Sequence, residues 1–188
     1  MKALGILAGP RKGQITDHLL DEVLRGLKDK GHEVKKIYLY DLKINPCLNC
    51  RACKDTQVCI INDDFKKVAD ELINSDVVAF ASPVFVSNVT SVAKAFFDRG
   101  VSIFKMTNFG PKWLHPKPKK VILITACFAP FPFSHILGIV PGCVNAMKTF
   151  FSLMKARIRV IASTGKWNFD AKKCKGILAK AYRLGLSI

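Results

Sequence analysis

Short, nearly unbroken apolar runs alternate along this chain with longer stretches whose apolar residues recur at helical spacing. The first run, Lys2 to Ala8, is stopped by Gly9-Pro10 and reads as a strand. Leu19, Leu20, Val23, Leu24 and Leu27 then predict a helix, with Thr16 as its N-cap and Gly31 as its end. Glu33 to Leu39 alternates, with Val34, Ile37 and Leu39 apolar, and predicts a second strand. After an irregular stretch, Asp63 or Asp64 is placed to cap a helix carrying Phe65, Val68, Ala69 and Leu72. Asp76 to Ala81 is continuously apolar after its first residue, the mark of a strand buried on both faces of a parallel sheet. Val89 to Phe104 predicts a helix, and Asn108 to Lys120, with Pro111, Pro116 and Pro118, an exposed loop. Val121 to Ala126 reads as a fourth strand and Phe128 to Pro132 as a turn. A helix over Cys143 to Lys155, a fifth strand over Arg157 to Ser163 and a helix over Ala171 to Leu184 complete the pattern.

Five strands alternating with helices predict an α/β three-layer sandwich around one parallel sheet, and 188 residues suit a single domain. For a sheet of this size the expected strand order is 2-1-3-4-5, the flavodoxin-like arrangement. Right-handed crossovers then bring the carboxyl ends of strands 1, 3 and 4 together where the strand order reverses, the usual place for a ligand. The segments at those ends, 9–16, 82–88 and 126–132, each interrupt the periodic pattern with Gly, Pro, Ser or aromatic residues.

Charge adds one constraint. Thirty Lys and Arg against 14 Asp and Glu give +16, which attracts anions. The lysines are scattered and no nucleic-acid-binding motif accompanies them, so a basic solvated surface is expected and no nucleic-acid partner. No apolar run reaches about 18 residues, so no membrane association is expected. The apolar start, Met1 to Arg11, is too short for an export signal, and the expected compartment is the cytoplasm, where structural disulfides are disfavoured.

Three stretches carry candidate chemistry. In the first loop, a phosphate at Gly9, Pro10, Arg11 and Thr16 would meet free backbone N–H groups, the positive end of a helix dipole, a guanidinium and a hydroxyl. The competing reading is a plain connection with nothing bound. After strand 3, Ser82, Pro83, Val84, Phe85 and Val86 offer a fixed turn, apolar packing for a flat ring and backbone donors for its polar edge. The alternative there is a loop with Phe85 in the core. Four of the seven cysteines form the third stretch, Cys47, Cys50, Cys53 and Cys59, spaced Cys-x2-Cys-x2-Cys-x5-Cys. Such spacing suits an iron–sulfur cluster better than zinc, whose four-cysteine sites join two knuckles across a longer gap. An empty cysteine loop remains the alternative. Cys127, Cys143 and Cys174 are isolated and read as buried small hydrophobes, with facing a ligand as the alternative for Cys127 at the end of strand 4. His18, His32, His115 and His135 show no metal spacing, and no acid–base pair or nucleophile triad emerges, so no catalytic side chain is assigned.

Three strings together resemble the NADPH-dependent FMN reductase family, and within it the iron–sulfur flavoproteins. They are Pro10-Arg11-Lys12 with Thr16, then Cys47 to Cys59 followed by Ile61-Asn62-Asp63-Asp64, and Ser82-Pro83-Val84-Phe85 leading to Lys94-Ala95-Phe96-Phe97-Asp98-Arg99. The resemblance implies a flavodoxin-like domain over 1–188 with a cysteine-rich insertion at about 44–62. It implies FMN with its phosphate on the first loop and its ring against the loop after strand 3. It also implies NAD(P)H as donor, a small-molecule or protein electron acceptor, a [4Fe-4S] cluster on the four cysteines, and a homodimer or homotetramer. An electron carrier or redox sensor of the same fold, or a module with a decayed flavin loop, are the rival readings. The first loop departs from the family's Gly-Ser-Pro-Arg-x-x-Gly-Asn-Thr, with Gly9 at the serine and Gln14-Ile15 at Gly-Asn. Two side-chain phosphate ligands are thereby absent, each worth roughly 1.5–3 kcal/mol, so weakened FMN binding is expected.

Overall fold

The computed structural model describes residues 1–114, 119–165 and 168–188, so His115, Pro116 and Pro118 of the sequence reading lie outside the described residues. The chain runs β1 (Lys2–Leu7), α1 (Ile15–Asp29), β2 (Glu33–Tyr38), α2 (Cys53–Thr56), α3 (Phe65–Asn74), β3 (Val77–Pro83), α4 (Ser91–Gly100), β4 (Lys105–Thr107), β5 (Gly110–Lys112), β6 (Lys120–Ala126), α5 (Phe133–Ile136), α6 (Ile139–Ser152), β7 (Arg157–Ser163) and α7 (Ala171–Leu186). Five strands pair in parallel in the order β2-β1-β3-β6-β7, which is the expected flavodoxin-like order once the β4–β5 hairpin is set aside.

Strand alternation divides the core into two layers. Leu4, Ile6, Val78, Phe80, Val121 and Leu123 point to one face of the sheet, against α3, α4 and α6. Ala3, Leu7, Val77, Ala79, Ile122 and Ile124 point to the other, against α1 and α7. On the first face Phe80 packs with Phe97 and Phe151 at ring distances of 5.0 and 5.4 Å, and Phe97 stacks on Phe150 at 4.7 Å. Burying one such side chain contributes roughly 1.5–3 kcal/mol, so this cluster anchors the layer. On the second face the helices touch backbone to backbone. A Cβ on Gly26 would fall 2.2 Å from the Tyr182 carbonyl, and one on Gly185 2.2 Å from that of Val23.

Four boundaries differ from the sequence reading. Thr16 does not cap α1: the helix begins at Ile15 with Gln14 in the cap position, and Gln14 makes no side-chain cap bond. The work is done one turn in, where the Asp17 carboxylate accepts from Gly13 N–H at 2.8 Å. The helix expected over Val89 to Phe104 is shorter, since Thr90 accepts from Ala93 N–H as N-cap and the last turn tightens to a 3-10 turn at Val101–Ile103. The expected loop from Asn108 contains β5, whose partner β4 begins at Lys105, and its flanking Trp113 and Lys119 are buried. Lys119 donates to the Ile73 carbonyl at 2.7 Å, and burial pushes its pKa down to about 8. Finally, α6 begins at Ile139, four residues before Cys143, because Pro141 falls in its first turn, where a missing N–H is tolerated.

Candidate functional site

Two cavities gather the candidate residues. The first, about 550 Å³, opens at the carboxyl ends of β1, β3 and β6. Gly9, Pro10, Arg11 and Thr16 line it from the first loop, with Gln14 and Ile15 beside them, and Pro83, Val84 and Phe85 line it from the second. Ala126, Cys127 and Phe128 form the third wall, from the 126–132 segment that the strand order had placed at the ligand end of the sheet.

The loops are fixed to one another by buried polar contacts. Ala8 N–H donates to the Ala81 carbonyl at 2.7 Å, and the Thr90 hydroxyl donates to the Ala8 carbonyl at 2.6 Å. The first loop passes close to the second at Gly9, where a Cβ would lie 3.2 Å from Pro83 Cδ. Ser82 is fully buried behind the cavity, where its hydroxyl accepts from Thr90 N–H at 3.3 Å; it braces the loop and does not line it. Val86 also stays outside, fully exposed. Phe85 and Asn88 exchange two backbone bonds of 2.8 and 2.9 Å around Val86 and Ser87, both at positive φ, 47° and 57°. This primed turn swings Val86 away from the cavity, an unfavourable conformation for a β-branched residue. It is held by α6, for a Cβ on Gly142 would fall 2.0 Å from the Ser87 carbonyl.

Two lysines beside the first loop are paired with carboxylates. Lys12 Nζ meets Asp41 at 2.5 Å, Lys36 Nζ meets Asp17 at 2.5 Å and also Asp21, and both lysines lie over the Tyr38 ring. Burial opposes the charge on Lys36, but the Asp17 and Asp21 carboxylates override it and hold its pKa above the ordinary lysine value. On the other flank, Phe169 stacks on His18 at 3.7 Å and donates its N–H to Gln14 Oε1 at 3.3 Å.

The second cavity, about 520 Å³, is lined by all four candidate cysteines, Cys47, Cys50, Cys53 and Cys59. All four are free thiols, Cys47 and Cys50 exposed, Cys53 and Cys59 half-buried. Burial pushes the Cys53 thiol up, and Cys59, Cys47 and Cys50 add to the shift. Asn49, Arg51 and Gln57 all adopt positive φ, so the chain curls tightly around the space. Among the described residues no three His, Cys, Asp or Glu side chains already converge to metal-binding distance. The donor set nevertheless fits a cluster: four unpaired thiols share one wall, with no competing carboxylate ligand among them apart from Asp98 at the rim.

Sequence reasoning missed what closes this loop. Arg99 and Asp63, both fully buried, form an ion pair at its base. Arg99 also donates to the carbonyls of Asn45 (3.3 Å) and Ile61 (3.1 Å), one on each side of the cysteines, and lies over the Phe65 ring at 4.4 Å. Asp63 accepts from Asn45 N–H at 2.9 Å and from Phe65 N–H at 3.0 Å. Asp63 rather than Asp64 therefore satisfies the start of α3. Burial alone would raise the Asp63 carboxyl, but Arg99 and the amides of Asn45 and Phe65 hold it down at about 2. Arg99 and Asp63 both stand in the strings that carried the family resemblance, but nothing in the sequence paired them.

With this geometry in hand, comparison with known proteins is decisive for family. The profile of NADPH-dependent FMN reductases matches residues 1–123.

The chain belongs to the NADPH-dependent FMN reductase family.

Within that family it resembles proteins named iron–sulfur flavoprotein. One from Methanosarcina thermophila is 33% identical over 112 residues, 60% of this chain and 58% of that protein. One from Archaeoglobus fulgidus is 40% identical over 99 residues, 53% of this chain and 45% of that protein. The chain thus spans roughly half the length of the curated relatives it matches. Among solved structures, an NAD(P)H:quinone oxidoreductase from Methanothermobacter marburgensis aligns with a TM-score of 0.78 at 16% identity, over 99% of this chain and 98% of that one. An FMN-dependent NADH-azoreductase from Bacillus anthracis, solved in complex with FMN, aligns with 0.74 at 16% identity, over 99% and 96%. At such identities these likenesses show the shared fold. Among the described residues no helix is long and apolar enough to cross a membrane.

Proposed function

We propose that this chain is a flavin-dependent oxidoreductase that holds FMN at the first cavity, takes electrons from NAD(P)H and passes them to a small-molecule or protein acceptor. The observation carrying the reading is the cavity of about 550 Å³ enclosed by the loops after β1, β3 and β6, in a chain of the FMN reductase family. Bound FMN would supply both two-electron and one-electron transfer. The protein binds and orients it: Arg11 and the amides of the first turn of α1 are available to the phosphate, while Val84 and Phe85 offer the ring an apolar wall. No side-chain acid or base is required of it. The FMN named for the Bacillus anthracis neighbour supports this placement.

Cys47, Cys50, Cys53 and Cys59 are the residues that would hold a [4Fe-4S] cluster, which would supply single-electron transfer. The names of the relatives and the four free thiols around one cavity support it. We take residues 1–188 as one flavodoxin-like domain with its cysteine-rich insertion at about 44–62, working as a cytoplasmic homodimer or homotetramer. Exposed Phe128, Phe131, Phe133, Ile136 and Leu137 beside the flavin cavity support self-association.

Anaerobic reconstitution with FMN, iron and sulfide tests the reading. A flavin band that survives gel filtration and is bleached by NADPH, with a broad iron–sulfur band beside it, is the expected result. Loss of all flavin on the column overturns it. Flavin retention without NAD(P)H oxidation would leave a carrier of electrons in place of a reductase.

A further inference from the structure

Two of the three cations nearest the first loop, Lys12 and Lys36, are already held by carboxylates. Lys12 is taken by Asp41 and Lys36 is shared between Asp17 and Asp21, which leaves Arg11 as the lysine or arginine that lines the cavity. This pairing is local. Thirteen of the 14 acidic residues lie within residues 1–100, and Asp170 is the single acidic residue of 101–188, so residues 101–188 carry +14 of the net +16.

Asp17 is the decisive member. Its side chain is 5% exposed, and its carboxylate accepts Gly13 N–H at 2.8 Å from within the first turn of α1. A resident anion thus already occupies a loop amide and the positive end of the helix dipole, the two features that would draw a phosphate. Of the neighbouring side chains, Thr16 lines the cavity and offers its hydroxyl, while the others add little. Ile15 is buried in the core, the Gln14 amide oxygen is engaged by Phe169 N–H, and Arg11 is exposed to water. The apolar end of the same cavity, at Val84, Phe85, Ala126 and Phe128, has no such handicap.

We propose that this cavity recognises the isoalloxazine ring and discriminates little for a 5′-phosphate, so that it accepts riboflavin nearly as well as FMN. The proposal rests on the flavin reading above and narrows it to ligand specificity. Its physical basis is that Lys12 and Lys36 are spent on Asp41, Asp17 and Asp21, so a phosphate is left with the water-exposed Arg11 and with amides that share the helix end with Asp17.

The test is a pair of titrations of flavin-free protein, with FMN and with riboflavin, each followed by quenching of flavin fluorescence. Dissociation constants within about tenfold of each other are expected. FMN binding more than tenfold tighter overturns this proposal and leaves the flavin reading intact, whereas failure of both ligands to bind overturns both. Asp17→Asn retains an acceptor for Gly13 N–H and removes the charge, and should move the FMN-to-riboflavin preference toward FMN by about three- to tenfold. Asp41→Asn, at an exposed position, frees Lys12 without touching the core and should move the preference the same way by less. If neither variant shifts the ratio, the electrostatic assignment is wrong.

Discussion

The two cavities solve opposite structural problems. The first cavity is made from loops that leave fully buried parallel strands, and short backbone bonds such as Ala8 to Ala81 register them. Its shape is inherited from the sheet. The cysteine cavity is made from a segment with little regular structure beyond the four residues of α2, with three non-glycine residues at positive φ. Its shape depends on one buried ion pair, Arg99 with Asp63, which gathers Asn45 and Ile61 from either side of the cysteines. A site built on strands tolerates weak side-chain signals, whereas a site built on a loop needs a dedicated brace.

The sharpest way to break this contrast is to remove the brace. Arg99→Leu should leave Asp63 buried and unpaired, destabilising the fold by about 3–5 kcal/mol in chemical denaturation, with partial recovery in the Arg99→Leu/Asp63→Asn double variant. Proteolysis of native protein should then cut first within 44–62, and an unchanged cutting pattern would show that the loop is held by something else.

The corresponding attack on the other cavity is Gly142→Ala. Its new methyl would meet the Ser87 carbonyl at 2.0 Å, so the turn after β3 must move. A loss of about 1–3 kcal/mol is expected together with weaker flavin quenching, and flavin binding equal to the parent would separate the turn from the site.

Acid titration probes the brace without mutation. Asp63 is held at about 2, below its ordinary 3.8, so its contribution is present above about pH 4 and is lost as the pH falls toward 2. The denaturation midpoint should fall over that interval by the equivalent of about 2 kcal/mol from this group, and the double variant should lack this component. The smallest effect is expected at Val86→Gly, which relieves a φ of 47° at a fully exposed side chain and should stabilise by about 1 kcal/mol or less. A destabilised Val86→Gly would mean that the Val86 side chain makes a contact the exposure does not suggest.

Legibility of the chain followed the range of the forces involved. The continuous apolar runs of β1, β3 and β6 were readable because strands buried on both faces must be apolar throughout. The cysteine spacing was readable for the same local reason, since three ligands of one centre must come from adjacent turns of chain. The β4–β5 hairpin was not readable: Lys105-Met106-Thr107 and Gly110-Pro111-Lys112 are short, exposed or half-exposed, and carry no alternation. The start of α1 was misplaced because Thr16 looks like a cap in isolation, while Asp17 reaches back to Gly13 N–H and pairs with Lys36, which arrives on a different strand. Val86 was expected at the ring because residue order placed it there, and the primed turn sent it outward.

Sequence pattern alone was sufficient for the five-stranded parallel sheet, its strand order and the two cysteine- and proline-marked segments, because periodicity and spacing act over a few residues. It could not show that Arg99 closes the cysteine loop onto Asp63 from 36 positions away. Nor could it show that Asp17, Asp21 and Asp41 take up Lys12 and Lys36 beside the first cavity. Charges pair through space, and which charges become neighbours is settled when β2 is laid beside β1 and α4 is packed over the entry to α3.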